Sequence, residues 1–156
     1  MGRMVSQKDA LKIRNSCRRK RQIVVFTNGC FDIIHPGHIK YLAKAKQLGD
    51  ILIVGLNSDK SVRQLKGKGR PVMSQKDRAT ILSHLDMVDY VTIFGTLTPH
   101  TLIKKLMPDV LVKGGDYEES EIVGAREVKA SGGKVVIIPF IKGRSTSRII
   151  SAFKKL

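Results

Sequence analysis

Five short apolar runs recur along this chain, and the segments between them carry helical periodicity. The runs are Ile23–Phe26, Ile51–Leu56, Val88–Phe94, Asp109–Val112 and Val135–Phe140. Near-continuous apolar strands that alternate with amphipathic helices mark a parallel sheet buried on both faces. The expected architecture is therefore an α/β, Rossmann-like, doubly wound sheet of five parallel strands with helices on both faces. Functional groups in such a sheet gather at the carboxyl ends of the strands, where the order of strands reverses.

The first run leads into Thr27-Asn28-Gly29-Cys30-Phe31-Asp32-Ile33-Ile34-His35-Pro36-Gly37-His38. Pro36 suits the first turn of a helix, where its missing N–H costs nothing. Ile39, Leu42, Ala43, Ala45 and Leu48 then give that helix an apolar face. Strand, glycine-containing loop and helix in this order form an anion site, because free N–H groups and the helix dipole converge there. His35 and His38, three apart across the helix start, project to one side. Gly37 between them lets a bulky ligand approach the backbone. Imidazoles placed there donate to a phosphate and to charge that grows as it is transferred. A zinc site is poorly served, since neither Cys17 nor Cys30 has ligand spacing to the pair.

The His-Pro-Gly-His element resembles the signature of the nucleotidylyltransferase superfamily, and the longer string resembles its cytidylyltransferase-like branch. Four further elements, Leu56–Asp59, Gly69–Val72, Lys113–Tyr117 and Gly143–Ser147, are similar to the D-glycero-β-D-manno-heptose 1-phosphate adenylyltransferase family. That family occurs as a stand-alone protein or as the C-terminal domain of a bifunctional heptose kinase/adenylyltransferase. The resemblance covers about residues 22–150. Ser147 stands where the family's string ends Ser-Thr-Thr, and it keeps the hydroxyl.

The resemblance implies transfer of AMP from ATP, with Mg²⁺, to the heptose 1-phosphate. The products are pyrophosphate and ADP-heptose for lipopolysaccharide core synthesis. It implies His35, His38, Lys68 and Arg70 as catalytic groups. Phosphates and nucleotide fall to Thr27, Asn28, Gly29, Cys30, Phe31, Gly37, Lys113, Gly115, Ser145, Thr146 and Ser147. The acceptor falls to Asp32, Asn57, Asp59, Arg78 and Asp116, with Asp32 open between acceptor and metal. No protein-only metal site is expected, and a homodimer is. Spacing alone does not separate ATP from CTP, so a cytidylyltransferase for glycerol 3-phosphate is the alternative. His84 and His100 read as surface residues without chemistry.

Composition bounds the rest. Lys and Arg number 29 against 13 Asp and Glu, a net charge of +16. Such a balance raises nucleic-acid binding, but aromatics are sparse and Trp is absent, which argues against a base-stacking surface and leaves a basic nucleic-acid-binding module without catalysis as the reading from another class. The chain is too short for a tRNA-reading synthetase and lacks a KMSKS-type string. Two cysteines make no disulfide framework and read as reduced thiols of a cytoplasmic protein. Residues 1–21 read as a basic helical leader and 22–156 as the nucleotidylyltransferase domain. Ser6 and Ser74, each followed three residues later by Asp, read as helix-opening capping boxes. Residues 61–70, rich in Lys, Arg and Gly, read as a loop, either closing over phosphates or solvated.

Overall fold

A computed structural model describes residues 2–139 and 146–153. The elements in order are β1 (Arg3–Met4), α1 (Gln7–Arg19), β2 (Val24–Gly29), α2 (Pro36–Lys46), β3 (Ile51–Asn57), α3 (Asp59–Lys66), α4 (Gln75–Ser83), β4 (Tyr90–Phe94), α5 (His100–Leu106), β5 (Val110–Gly114), a 3₁₀ turn (Glu119–Glu121), α6 (Ala125–Ala130), β6 (Lys134–Ile138) and α7 (Thr146–Phe153). The strands form one sheet in the order β1-β4-β3-β2-β5-β6, and every neighbouring pair is parallel.

Strand period 2 divides the core between the two faces. Val25, Leu52, Val54 and Val112 pack with Leu42 and Ala45 of α2 and with Ala79 and Leu82 of α4. Val24, Phe26, Ile53 and Leu111 pack with Ala10 and Cys17 of α1, Leu102 and Ile103 of α5, and Val128 of α6. Helices therefore cover both faces, as expected. Along the chain, β2, β3 and β4 step outward in one direction, and β5 then returns to the other side of β2. The reversal opens a crevice between the ends of β2 and β5.

Two expectations are corrected. The sheet has six strands, because Arg3 and Met4 pair with Tyr90 and Val91 at the edge. A two-residue strand carries no periodic signal, and its neighbour alone makes it a strand. The first 21 residues thus contribute an edge strand and the helix α1. That helix holds Arg14 at 2 % exposure, donating to the carbonyls of Leu106 and Met107 and to Asp109 Oδ1 at 2.8 Å.

Second, most of residues 61–70 is helix. Ser58 caps α3 by accepting from the Ser61 N–H at 3.2 Å, Val62 is fully buried, and Gly67 ends the helix at φ 87°. The serine caps at Ser6 and Ser74 are present, but each Asp accepts from the serine hydroxyl rather than reaching the backbone.

Candidate active site

The end of β2 and the start of α2 build the floor of the crevice. Phe31 sits in the left-handed region at φ 44° and folds back over Gly29, where a Cβ would lie 2.9 Å from its ring. A side chain at position 29 would therefore displace Phe31. His35 is the N-cap of α2: its Nδ1 accepts from the Gly37 N–H at 3.1 Å. With Nδ1 an acceptor, the neutral ring carries its proton on Nε2. His38 stacks on His35 at 3.9 Å between centroids, and Phe31 borders it at 5.2 Å. Burial, reinforced by His35, pushes the His38 pKa down to about 4. His38 Nδ1 is buried without a hydrogen-bond partner among the described residues. With His38 held neutral, the stacked pair is a donor set for a phosphoryl oxygen rather than two fixed positive charges.

These residues open into a cleft of about 1170 Å³, at the large end for small-molecule sites. Of the predicted residues, Asn28, Gly29, Cys30, Phe31, Asp32, His35, Gly37, His38, Asn57, Arg70, Lys113, Thr146 and Ser147 line it. Lys113, at the end of β5, has its pKa lowered by burial and lies 6.0 Å from the Tyr117 ring. Burial raises the pKa of Cys30, so its thiol stays protonated near neutrality. Thr146 Oγ1 donates to the Ile33 carbonyl at 3.2 Å, tying the start of α7 to the histidine loop.

Other predicted residues stand behind the wall. Thr27 is fully buried, with its hydroxyl 2.5 Å from Tyr41 Oη, which also donates to the Val112 carbonyl. Gly115 is buried and donates to the Ile138 carbonyl. Lys68 and Asp116 are exposed and lie outside the cleft lining. Ser145 lies outside the described residues.

Two buried ions organise the cleft edge. Asp32, 2 % exposed, accepts from Arg70 Nε at 2.6 Å, Val72 N at 2.8 Å and Met73 N at 3.0 Å. Burial alone would raise its pKa, but these bonds outweigh it and hold the carboxyl below the usual range. Arg78 is fully buried. It donates to the carbonyls of Met73, Cys30 and Asn57 and to Asp59 Oδ1 at 2.7 Å. Its guanidinium joins the histidine loop, the end of β3 and residue 73, and neither Arg78 nor Asp59 lines the cleft.

Sequence reasoning passed over Lys40, Tyr41 and Lys44 of α2, which line the cleft together with Lys66, one of the cations of the 61–70 segment. The i, i+4 spacing of Lys40 and Lys44 was the available signal. Leu97, Pro99, Tyr117, Ile122 and Val123 add an apolar side. Asp32 and Glu121 are the only carboxylates among the described lining residues, and Asp32 is neutralised by Arg70. The cleft is therefore cationic and suited to polyanions. Among the described residues no three of His, Cys, Asp and Glu converge as metal ligands, and no helix is long and apolar enough to cross a membrane.

The chain is similar to known proteins in sequence and in fold. Residues 26–152 match the cytidylyltransferase-like family. The chain is 55% identical over 148 residues to the bifunctional protein HldE of Wolinella succinogenes, covering 95% of this chain and 30% of that one. To the bifunctional protein HldE of Campylobacter curvus it is 59% identical over 137 residues, with 88% and 28% covered. The chain thus spans under a third of the length of these curated relatives.

Among solved structures, the lipopolysaccharide core biosynthesis protein from Thermoplasma volcanium superposes with a TM-score of 0.64 at 29% identity, covering 79% of this chain and 99% of that one. Pantoate-beta-alanine ligase from Francisella tularensis shares the fold alone, at TM-score 0.61 and 17% identity, with 99% of this chain and 77% of that one covered. A histidine pair at the start of α2, a cationic crevice at the reversal of strand order and a match over most of the chain agree: this chain belongs to the cytidylyltransferase-like family.

Proposed function

We propose that this chain is an adenylyltransferase that joins the AMP moiety of ATP to D-glycero-β-D-manno-heptose 1-phosphate, giving ADP-heptose and pyrophosphate. The observation that carries the chemistry is the stacked His35–His38 pair, with the buried His38 ring held neutral, opening into a cleft walled by cations. The choice of acceptor rests on the resemblance to the heptose family. The HldE relatives and the Thermoplasma protein described as a lipopolysaccharide core biosynthesis protein support it.

In this reaction a phosphate oxygen of the sugar 1-phosphate attacks the α-phosphorus. The new P–O bond forms as the bond to the bridging oxygen of the β-phosphate breaks, and pyrophosphate leaves with that electron pair. The nucleophile is already ionised at neutral pH, so no general base is required. Catalysis rests on alignment and on stabilising charge at the α-phosphorus. His35 and His38 donate to the equatorial oxygens, Lys113 and Arg70 neutralise the departing charge, and the Asn28–Phe31 segment orients the phosphates. Asp32 is engaged by Arg70 and two N–H groups, so its part is to position Arg70. Mg²⁺ belongs to the substrate, carried on the nucleotide phosphates and offsetting charge on pyrophosphate.

A homodimer in the cytoplasm completes the proposal. Sedimentation at twice the 17.3 kDa chain mass is expected, and a monomer overturns the dimer. The activity is tested by pyrophosphate release with Mg²⁺, crossing ATP and CTP against the heptose 1-phosphate and glycerol 3-phosphate. Release with ATP and the heptose phosphate alone is expected. Release with CTP and glycerol 3-phosphate instead, or silence in all four mixtures, overturns the assignment.

A further inference from the structure

The α2 helix carries three lysines and no acidic residue, and the lysines fall into two groups. Lys46 is paired, donating to Asp89 Oδ2 at 2.6 Å and to the Asp50 carbonyl. Lys40 and Lys44 are exposed, line the cleft, and form no ion pair among the described residues. Like charges at i, i+4 on one helix repel. Lys44 in the last turn complements the dipole, but Lys40 lies mid-helix without that compensation. Stability therefore gives no reason for the pair. Lys66 of α3 also lines the cleft without an ion-pair partner among the described residues. A polyanion on the cleft side of α2 is what would relieve the repulsion.

Helix geometry indicates which part of a ligand these lysines meet. Side chains on a helix lean toward its N-terminus, which here is the His35–His38 end. Lys40 and Lys44, one turn apart, or about 6 Å along the axis, extend from that end as a cationic rail. A phosphoryl group held at the histidines leaves any chain of further phosphates within reach of the rail. Resting on the adenylyltransferase reading, we infer that Lys40 and Lys44 form a polyphosphate subsite. It binds the β- and γ-phosphates of the entering nucleotide and the pyrophosphate that leaves. It makes the cleft favour a triphosphate over a monophosphate of the same base.

The test is calorimetric titration of the full chain with ATP, AMP and inorganic tripolyphosphate, at one salt and one Mg²⁺ concentration. The variant K40Q/K44Q is compared with wild type and with K8Q/K20Q. That second variant removes the same charge from residues outside the cleft lining, and circular dichroism checks both folds. K40Q/K44Q is expected to lose roughly tenfold in affinity for ATP and for tripolyphosphate, and less than about twofold for AMP. K8Q/K20Q is expected to match wild type on all three.

Equal losses for AMP and ATP, an equal loss in K8Q/K20Q, or no loss would overturn the subsite. So would a wild type that binds no tripolyphosphate. Tripolyphosphate has no base, so a chain that proves to prefer CTP, or another acceptor, changes the functional assignment and leaves this result readable.

Discussion

Replacing Asp32 with Ala is the most informative single perturbation of this fold. Its side chain is 1% exposed and faces Arg70, itself only 16% exposed, and it also accepts from the N–H groups of Val72 and Met73. Removing one member of a buried ion pair leaves the other uncompensated, at a cost of about 3–5 kcal/mol. Arg70 keeps some access to water, so the lower end applies. For a chain of this size about 3 kcal/mol lowers Tm by roughly 6–12 °C.

The pH dependence follows from the depressed pKa. The folded carboxyl titrates below its unfolded value, so its stabilisation is fully present above about pH 4 and is lost as pH falls through the folded pKa. Asp32→Ala should therefore narrow the gap to wild type at low pH. The assay is thermal unfolding by circular dichroism from neutrality down to about pH 3, with D32A/R70A as a partner variant. The double variant should recover part of the loss, since no unpaired guanidinium remains. A Tm within about 2 °C of wild type at neutral pH, or a gap that widens on acidification, would refute the reasoning.

Further outcomes concern Arg78 and His38. Arg78→Met removes four hydrogen bonds and strands the Met73, Cys30 and Asn57 carbonyls and Asp59, costing about 3–5 kcal/mol in urea unfolding; Arg78→Lys should restore only part, since a point charge cannot span three carbonyls. His38→Ala should lower turnover about 100-fold, read as pyrophosphate release, because the buried, neutral His38 ring, stacked on His35, borders the cleft. With its folded pKa below the unfolded value, His38 also stabilises the fold above about pH 6.5 and progressively less as pH falls toward the folded value. His38→Gln should flatten that part of a urea-midpoint series.

The sheet and the histidine loop were legible because both are local. A run such as Ile51–Leu56 is a strand in any register, and His35 caps α2 with its own Gly37 N–H. What escaped depends on distant partners. The β1 strand exists because Arg3 N donates to the Asp89 carbonyl, 86 residues on. The composition of residues 61–70 suggested a loop, while the Ser58 cap and the buried Val62 made a helix. Arg78 looked like a ligand group because a cation in a first turn opposes the dipole. Three carbonyls from separate segments outweigh that local cost, and no spacing along the chain announces them. Lys40 and Lys44 were visible as a pair, but which side of α2 borders the cleft depends on how that helix packs on β2 and β6.

The excess positive charge acquires meaning once its partners are assigned. Of the 13 Asp and Glu side chains in the chain, seven are committed to ion pairs among the described residues. Asp109, Asp32 and Asp59 take Arg14, Arg70 and Arg78, whose side chains are at most 16% exposed. A guanidinium so placed demands a partner, since an uncompensated buried charge costs several kcal/mol. Carboxylates thus go where the fold requires them, and among the described residues the cleft lining keeps only Asp32, already neutralised, and Glu121. Lys40, Lys44, Lys66 and Lys113 face the same space, in walls of low dielectric that focus their field. A nucleic-acid surface would spread its cations along a face and interleave aromatics for the bases. Here Lys40, Lys44, Lys66 and Lys113, none with a carboxylate partner among the described residues, border one crevice beside the stacked histidines, a distribution that matches a compact polyanion undergoing phosphoryl transfer.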